Sequence, residues 1–181
     1  MKLAAKGRYA PPPSLPTHAQ SVSESLARWP AVHARTHWFL GDEREVDGAD
    51  FYVGEEELGH LHLDGEAHIA VTRALREALT GAGVAKPFRW SASFVVFRVR
   101  SAADVEHALG LFGLAYDRLR GTPEAELLAR IPTLGAELPT PRASAVHPTL
   151  VVSADAGSWC ARRRSWCWRR GPGRRARRRG A

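Results

Sequence analysis

The chain has 181 residues, of which 44% are hydrophobic, so it is long enough and apolar enough to bury the core of one domain. Its net charge of +7 comes from the last 23 residues, which hold ten arginines and no acid, whereas the rest of the chain has 16 basic and 19 acidic residues. No apolar run approaches the roughly 18 residues of a membrane span, and no signal peptide is recognisable, so we expect a cytoplasmic protein without a membrane partner.

The first elements follow a loose start. Residues 1–20 are rich in proline, alanine and small polar residues, which predicts a disordered leader. Ser21 and Glu24 have the spacing of a capping box, so we expect the first helix to begin there and to end at Pro30. The β-branched and aromatic run Thr36–Leu40 then predicts a strand, which an acidic turn follows.

Strands and helices alternate through the middle of the chain. Phe51–Val53 predicts a second strand and Glu57–Val71 a hairpin. Thr72 can cap the next helix, which glycines end. Arg89–Arg100 is the longest predicted strand, and its apolar residues on both sides are typical of a central strand.

The strongest helix opens at the second capping box, Ser101 to Asp104, and Gly121 ends it. On this helix we expect His107 to be solvated. A short helix from Thr122 reaches Ile131. The order of elements predicts an α+β fold, a mainly antiparallel sheet with helices packed on one face.

The domain is expected to span residues 21–131, and residues 132–181 to form a disordered tail that is first Pro-rich and then Arg-rich. Two interpretations of Arg162–Arg179 remain. An arginine-rich arm would bind nucleic acid, with tryptophans for stacking. We favour a solvated or non-functional tail, because blocks of like charge are usually disordered.

The hairpin has two possible registers. Alternate residues of a strand share one face, so His60 and His62 lie on the same side of the first arm. Whether His68 of the second arm lies on that side too depends on the number of residues in the turn, as it does for Asp64 and Glu66. A two-residue turn at Asp64-Gly65 would move His68 to the leucine face. A three-residue loop, with Gly65 in the left-handed position, keeps all polar residues together, and the binary pattern favours it.

These histidines are the candidate catalytic residues. His60 and His62 could act as general acid or base near neutral pH, with His68 in contact with a substrate. Three histidines with a carboxylate could also bind zinc or ferrous iron. Because no fourth ligand stands in a recognisable motif, we expect no metal and no cofactor. The alternative is a polar sheet face in contact with solvent.

The strand at residues 89–100 offers further substrate-binding candidates. Arg89 and Trp90 at one end and Arg98 at the other could line a pocket for an anionic or aromatic ligand. The commoner arrangement, core residues with solubilising arginines at both ends, is the alternative.

Several motifs resemble one family. They are the "GHLH-DG" hairpin from Gly59, the "AKPFRW" segment ending at Trp90, the "FRVRS" strand end and the "ADVEHAL…LAYDRL" helix. Together they resemble the luciferase-domain family, over about Trp29–Arg120 and most strongly from Glu57. The chain departs from the family at Ser91–Phe94, where "SASF" replaces a "PDSGW"-like turn and is about two residues shorter.

The resemblance implies binding of a small organic molecule, with its oxygen-dependent oxidation as a further implication. In the implied scheme no metal or flavin takes part, His60 or His62 takes a proton from an acidic hydroxyl, and Arg89 or Arg98 stabilises the enolate. Two alternatives stay open. One is a non-catalytic ligand- or protein-binding module of the same fold, and the other is nucleic-acid binding through the tail.

Overall fold

The computed structural model of the chain describes residues 9–40, 42 and 44–136, which form six strands and four helices. In chain order the elements are α1 (Thr17–Ala27), β1 (Val32–Trp38), β2 (Val46–Val53), β3 (Glu56–His62), β4 (Glu66–Ala70), α2 (Arg73–Gly81), β5 (Lys86–Pro87), β6 (Phe94–Arg98), α3 (Ala102–Leu119) and α4 (Glu124–Ala136). The predicted α+β class is confirmed. The Arg-rich tail, and with it both interpretations of that segment, lies outside the described residues.

The six strands form one antiparallel sheet in the order β1-β2-β3-β4-β6-β5. One face is apolar and packs against the helices. Leu61 and Ile69 are fully buried there, and Phe51 meets Phe112 of α3 edge to face, with ring centroids 6.2 Å apart. Because alternate residues point to opposite faces, the residues between these apolar ones face away from the helices.

The three-residue loop of the β3–β4 hairpin is confirmed. His60 pairs with His68 and Leu61 with Ala67, so both arms keep their apolar residues on the helix face. Gly65 has a φ of +83° and its N–H donates to the carbonyl of His62 at 3.0 Å. A left-handed residue at this position closes the loop, and glycine adopts that conformation without steric cost.

The start of the domain differs from the prediction. Helix α1 begins at Thr17, four residues before the expected capping box, and the Ser21 hydroxyl donates to the Thr17 carbonyl inside the helix. Ala19 is buried in the core, which favours an additional helical turn. Thr36 donates its backbone N–H to the carbonyl of Ala10, so part of the predicted leader covers the outer edge of β1.

Two strands have different bounds from those expected. The strand predicted at Thr36–Leu40 is β1, which starts at Val32 and ends at Trp38. The second strand is longer than predicted because residues from Val46 onward, in the expected turn, pair with β1. Gly48 and the acidic residues of this segment have low strand propensity, so the sequence did not predict its first half as a strand. Pairing with the neighbouring strands stabilises it.

The long strand expected at residues 89–100 is wrong in its first half. Strand β6 covers only Phe94–Arg98, and Arg89–Ser93 form a turn after β5. The Ser91 hydroxyl accepts the N–H of Ser93 in this turn, a local bond that competes with strand pairing. Strand β6 therefore lies next to the short edge strand β5 instead of at the centre of the sheet.

Two helical predictions are corrected. The expected solvation of His107 is wrong, because the residue is buried and its Nε2 lies 2.7 Å from the Val84 carbonyl. Helix α4 continues past Ile131 and Pro132 to Ala136, beyond the expected end of the domain. Leu134 packs directly over Gly110 of α3, and this contact favours the added turn.

The Gly59→Ala substitution should destabilise the fold. Gly59 has a φ of +150°, and an added Cβ would lie 2.4 Å from the His68 carbonyl oxygen and 2.9 Å from Cε1 of Phe112. We expect the free energy of unfolding in urea to fall by about 2–4 kcal/mol. The control is Gly113→Ala in α3, where a Cβ meets nothing within 4 Å. It should change stability by less than about 1 kcal/mol, and equal effects would contradict the packing argument.

Candidate functional site

Four histidines from three strands meet on the sheet face that the helices leave open. His37 comes from β1, His60 and His62 from β3, and His68 from β4. Cross-strand pairing brings them together, because His60 pairs with His68 while Gly48 of β2 pairs with both His37 and His62. The three predicted histidines therefore form one cluster, to which the structure adds His37.

A β-bulge in β3 shapes the deep side of this cluster. Tyr52 pairs with Glu57 and Phe51 with Gly59, so Leu58 is an extra residue in its strand. In a regular strand Glu57 and His60 would face opposite sides. The bulge turns Leu58 into the core and brings the Glu57 carboxylate to 3.0 Å from Nδ1 of His60.

Each of the four imidazoles is held by one carboxylate. The nitrogen–oxygen distances are 2.7 Å for His37 Nδ1 with Asp50, 3.0 Å for His60 Nδ1 with Glu57, 2.9 Å for His62 Nδ1 with Asp47 and 3.0 Å for His68 Nε2 with Glu66. A carboxylate only accepts, so each of these nitrogens carries the proton and donates. The tautomers of neutral His37, His60 and His62 follow from these bonds.

The remaining nitrogens of His60, His62 and His68 lie close to one another. Nε2 of His60 lies 2.9 Å and Nε2 of His62 lies 3.4 Å from Nδ1 of His68. The rings of His37 and His60 stack with centroids 4.1 Å apart. One ring nitrogen of each of His37, His60 and His62 lies within 4.8 Å of the other two, a spacing that suits a shared metal ion.

Burial favours the neutral form of His60 and His62. It lowers the pKa of His60 to about 3, although the hydrogen bond to Glu57 opposes this effect. The pKa of His62 is also lowered, first by burial and then by the nearby His68. Burial alone would raise the pKa of Glu66, but hydrogen bonds from His68 and Arg98 lower it overall. The site thus combines the neutral imidazoles of His60 and His62 with the ionised carboxylate of Glu66.

A cavity of about 410 Å³ opens above the histidines. Its floor is polar, and its walls are aromatic and aliphatic. The lining side chains are His37, Phe39, Leu40, Asp47, Glu57, His60, His62, His68, Phe88, Trp90 and Phe94. Leu40 and Trp90 are 88% and 73% exposed, so apolar surface continues outward from the cavity.

The predicted site residues divide into two groups. His60, His62, His68 and Trp90 line the cavity. Arg89 stacks on Trp90 with its guanidinium 4.5 Å from the ring centroid. Arg98 bonds to Asp64 and Glu66 and borders a separate cavity of about 300 Å³. The structure therefore does not bring Arg98 into contact with the cavity above the histidines.

Sequence reasoning missed several lining residues. His37 and Asp47 come from β1 and β2, whose bounds and pairing were not predicted in full. His37 lies inside the strand predicted at Thr36–Leu40, so the sequence did place a histidine in the sheet there, although it did not indicate which strand would pair with it. Phe88 and Phe94 lie on either side of the turn at residues 89–93, which brings both rings to the same wall of the cavity. The sequence predicted a continuous strand there, so it did not predict that the two rings meet.

Comparison with known proteins gives one match. Residues 55–115 match the family model described as luciferase domain, a segment that runs from β3 into α3 and includes His60, His62 and His68. No curated protein and no solved structure matches the chain. Within the described residues, none of the helices is long and apolar enough to cross a membrane. The resemblance to the luciferase-domain family that the sequence predicts is therefore confirmed as a match to the family model over residues 55–115.

Proposed function

We propose that the domain binds a small, largely apolar organic molecule with one hydroxyl group in the cavity above the histidines. One observation carries this proposal, namely that the cavity joins aromatic walls to a floor of neutral, carboxylate-anchored imidazoles. Ligand sites are typically apolar hollows with a few converging polar groups. A volume of about 410 Å³ suits a molecule of a few fused rings.

The walls favour an aromatic ligand. Phe88 contacts Trp90 edge to face, with ring centroids 5.4 Å apart, and also lies 6.2 Å from Phe94. These rings can add offset or edge contacts to a flat guest. Arg89 lies against Trp90 and is exposed, so it can hold a negative substituent that projects from the cavity.

The floor would bind the hydroxyl of the ligand. Nε2 of neutral His60 or His62 is an acceptor, so either can receive the hydroxyl hydrogen bond. In the oxidation that the family resemblance implies, the same nitrogen would take the hydroxyl proton. Arg98 would act through Glu66, whose carboxylate it shares with His68, and is proposed as a positioning residue.

Binding without turnover is the alternative use of the same cavity. It needs the apolar walls and the hydrogen bond but no proton transfer. Product formation from a bound ligand under air separates the two functions, because only an enzyme turns over. The cytoplasmic location expected from the sequence stays a prediction.

Trp90→Ala should weaken binding of an aromatic probe. The probe is anilinonaphthalene sulfonate, titrated by fluorescence with EDTA present so that no metal contributes. Loss of the Trp90 ring should raise Kd about tenfold, which corresponds to about 1.4 kcal/mol. Leu63→Ala is the control, because Leu63 is also exposed but lies in the hairpin loop outside the cavity. Equal Kd values for the two variants would exclude this cavity as the dye site.

The hydrogen bond to the floor can be tested with a matched ligand pair. Naphthol should bind about three- to tenfold more tightly than its methyl ether, which cannot donate. In His62→Phe and His60→Phe proteins the ring remains but the acceptor is gone, so at least one variant should lose the preference. His33→Gln changes an exposed histidine of β1 outside the cavity and should keep it. Calorimetry with EDTA present gives each Kd, and an undiminished preference in both ring variants would refute the proposed contact.

A further inference from the structure

We propose that Nε2 of His37, His60 and His62 bind one divalent transition-metal ion at the floor of the cavity, with His68 beside the ion. This site goes beyond the proposed function, because it gives the Nε2 lone pairs of His60 and His62 to an ion, which would compete with the hydroxyl of an organic ligand for the same atoms. Neutral imidazole suits zinc, copper, iron and nickel, whereas magnesium and calcium prefer oxygen ligands.

The hydrogen bonds behind the rings fix which nitrogen faces the ion. Nδ1 of His37, His60 and His62 each donates to a carboxylate, on Asp50, Glu57 and Asp47 respectively. The lone pair of each neutral ring is therefore on Nε2. Metal-binding histidines commonly have this arrangement, in which a carboxylate orients the ring and raises its basicity.

The rings also converge. One nitrogen of each of the three lies within 4.8 Å of the others. Zinc–nitrogen bonds of about 2.0–2.1 Å place tetrahedral ligands roughly 3.4 Å apart. The rings of His37 and His60 stack with their planes 8° apart, so one of them has to turn out of the stack for both lone pairs to reach the same ion. The three histidines lie on β1 and β3, and both strands pair with β2 between them, so the sheet holds the backbone of all three in place.

His68 supplies the argument for a cation at this point. Its Nε2 donates to Glu66, so a neutral His68 has its lone pair on Nδ1. That atom lies 2.9 Å from the Nε2 lone pair of His60 and 3.4 Å from that of His62. Facing lone pairs repel unless a proton or a metal ion lies between them. A metal ion on Nε2 of His60 and of His62 occupies both of those lone pairs at once, whereas a proton can lie between only two of the three nitrogens.

Access and ligand type favour the histidine set over the neighbouring carboxylates. Asp50, Glu57 and His60 also lie close enough to share an ion. However, Asp50 does not line the cavity, and both carboxylates already accept ring N–H groups. His37, His60 and His62 all line the cavity, so an ion can reach their nitrogens from solvent.

The test uses the full chain without a polyhistidine tag, in a Cys160→Ser/Cys167→Ser background that removes the two cysteines as ligands. The protein is stripped with EDTA, dialysed and titrated with Co²⁺ by visible absorption and with Zn²⁺ by calorimetry. We expect one ion per chain, and a cobalt spectrum without a thiolate charge-transfer band. Proton NMR of the cobalt form should contain at least three strongly shifted, exchangeable signals from the imidazole N–H groups.

Variants assign the ligands. His62→Gln and His60→Gln should each weaken Co²⁺ binding about 100-fold or more and remove one shifted signal. Asp47→Asn removes the carboxylate behind His62 and should weaken Co²⁺ binding about 10- to 100-fold. Because the Asp47 side chain is 31% exposed, this variant should fold, so it can test the site even if a histidine variant does not fold. His33→Gln on β1 is the matched control and should leave the affinity unchanged.

Circular dichroism and urea unfolding show which variants are folded. The proposal is overturned if the parent protein does not bind Co²⁺ saturably, or if folded His62→Gln and Asp47→Asn proteins match His33→Gln in affinity. The dye and naphthol titrations contain EDTA and these titrations contain no organic ligand. Failure of either proposal therefore leaves the result for the other intact.

Discussion

The register between β3 and β4 is the constraint on which both faces of the sheet depend. Because Leu61 pairs with Ala67, the loop that follows has an odd number of residues and the two arms stay in phase. A shift of one residue would expose the buried Leu61 on the polar face, at a cost of about 2–3 kcal/mol for one such side chain. The helix face therefore fixes the positions of the histidines on the other face.

The second strand ties the polar face together. Strand β2 lies between β1 and β3 and supplies a carboxylate to a histidine on each neighbour, Asp50 to His37 and Asp47 to His62. Burying polar groups costs free energy unless they are hydrogen-bonded. These hydrogen-bonded pairs offset that cost and fix the orientation of the rings, so the same bonds stabilise the sheet and hold the histidine cluster in place.

Local pattern was enough to predict the hairpin, because alternation and one glycine decide its register within ten residues. It was enough for α3, whose capping box at Ser101 and Asp104 is present. It was not enough for His37, which is 23 positions before His60 and joins it only through sheet pairing. The bulge at Leu58 also escaped prediction, because propensity carries no signal for an extra residue opposite Tyr52.

The match to the family model begins at residue 55 and so leaves out part of the histidine cluster. Residues 55–115 contain three of the four imidazoles, but His37 and the carboxylates Asp47 and Asp50 lie before the segment. A fragment cut at the borders of the match would lose β1 and β2 and expose the long edge of β3. Such a fragment would contain the matched segment but would lack His37 and the carboxylates of Asp47 and Asp50. Its failure to bind a ligand or an ion would therefore say nothing about the intact chain.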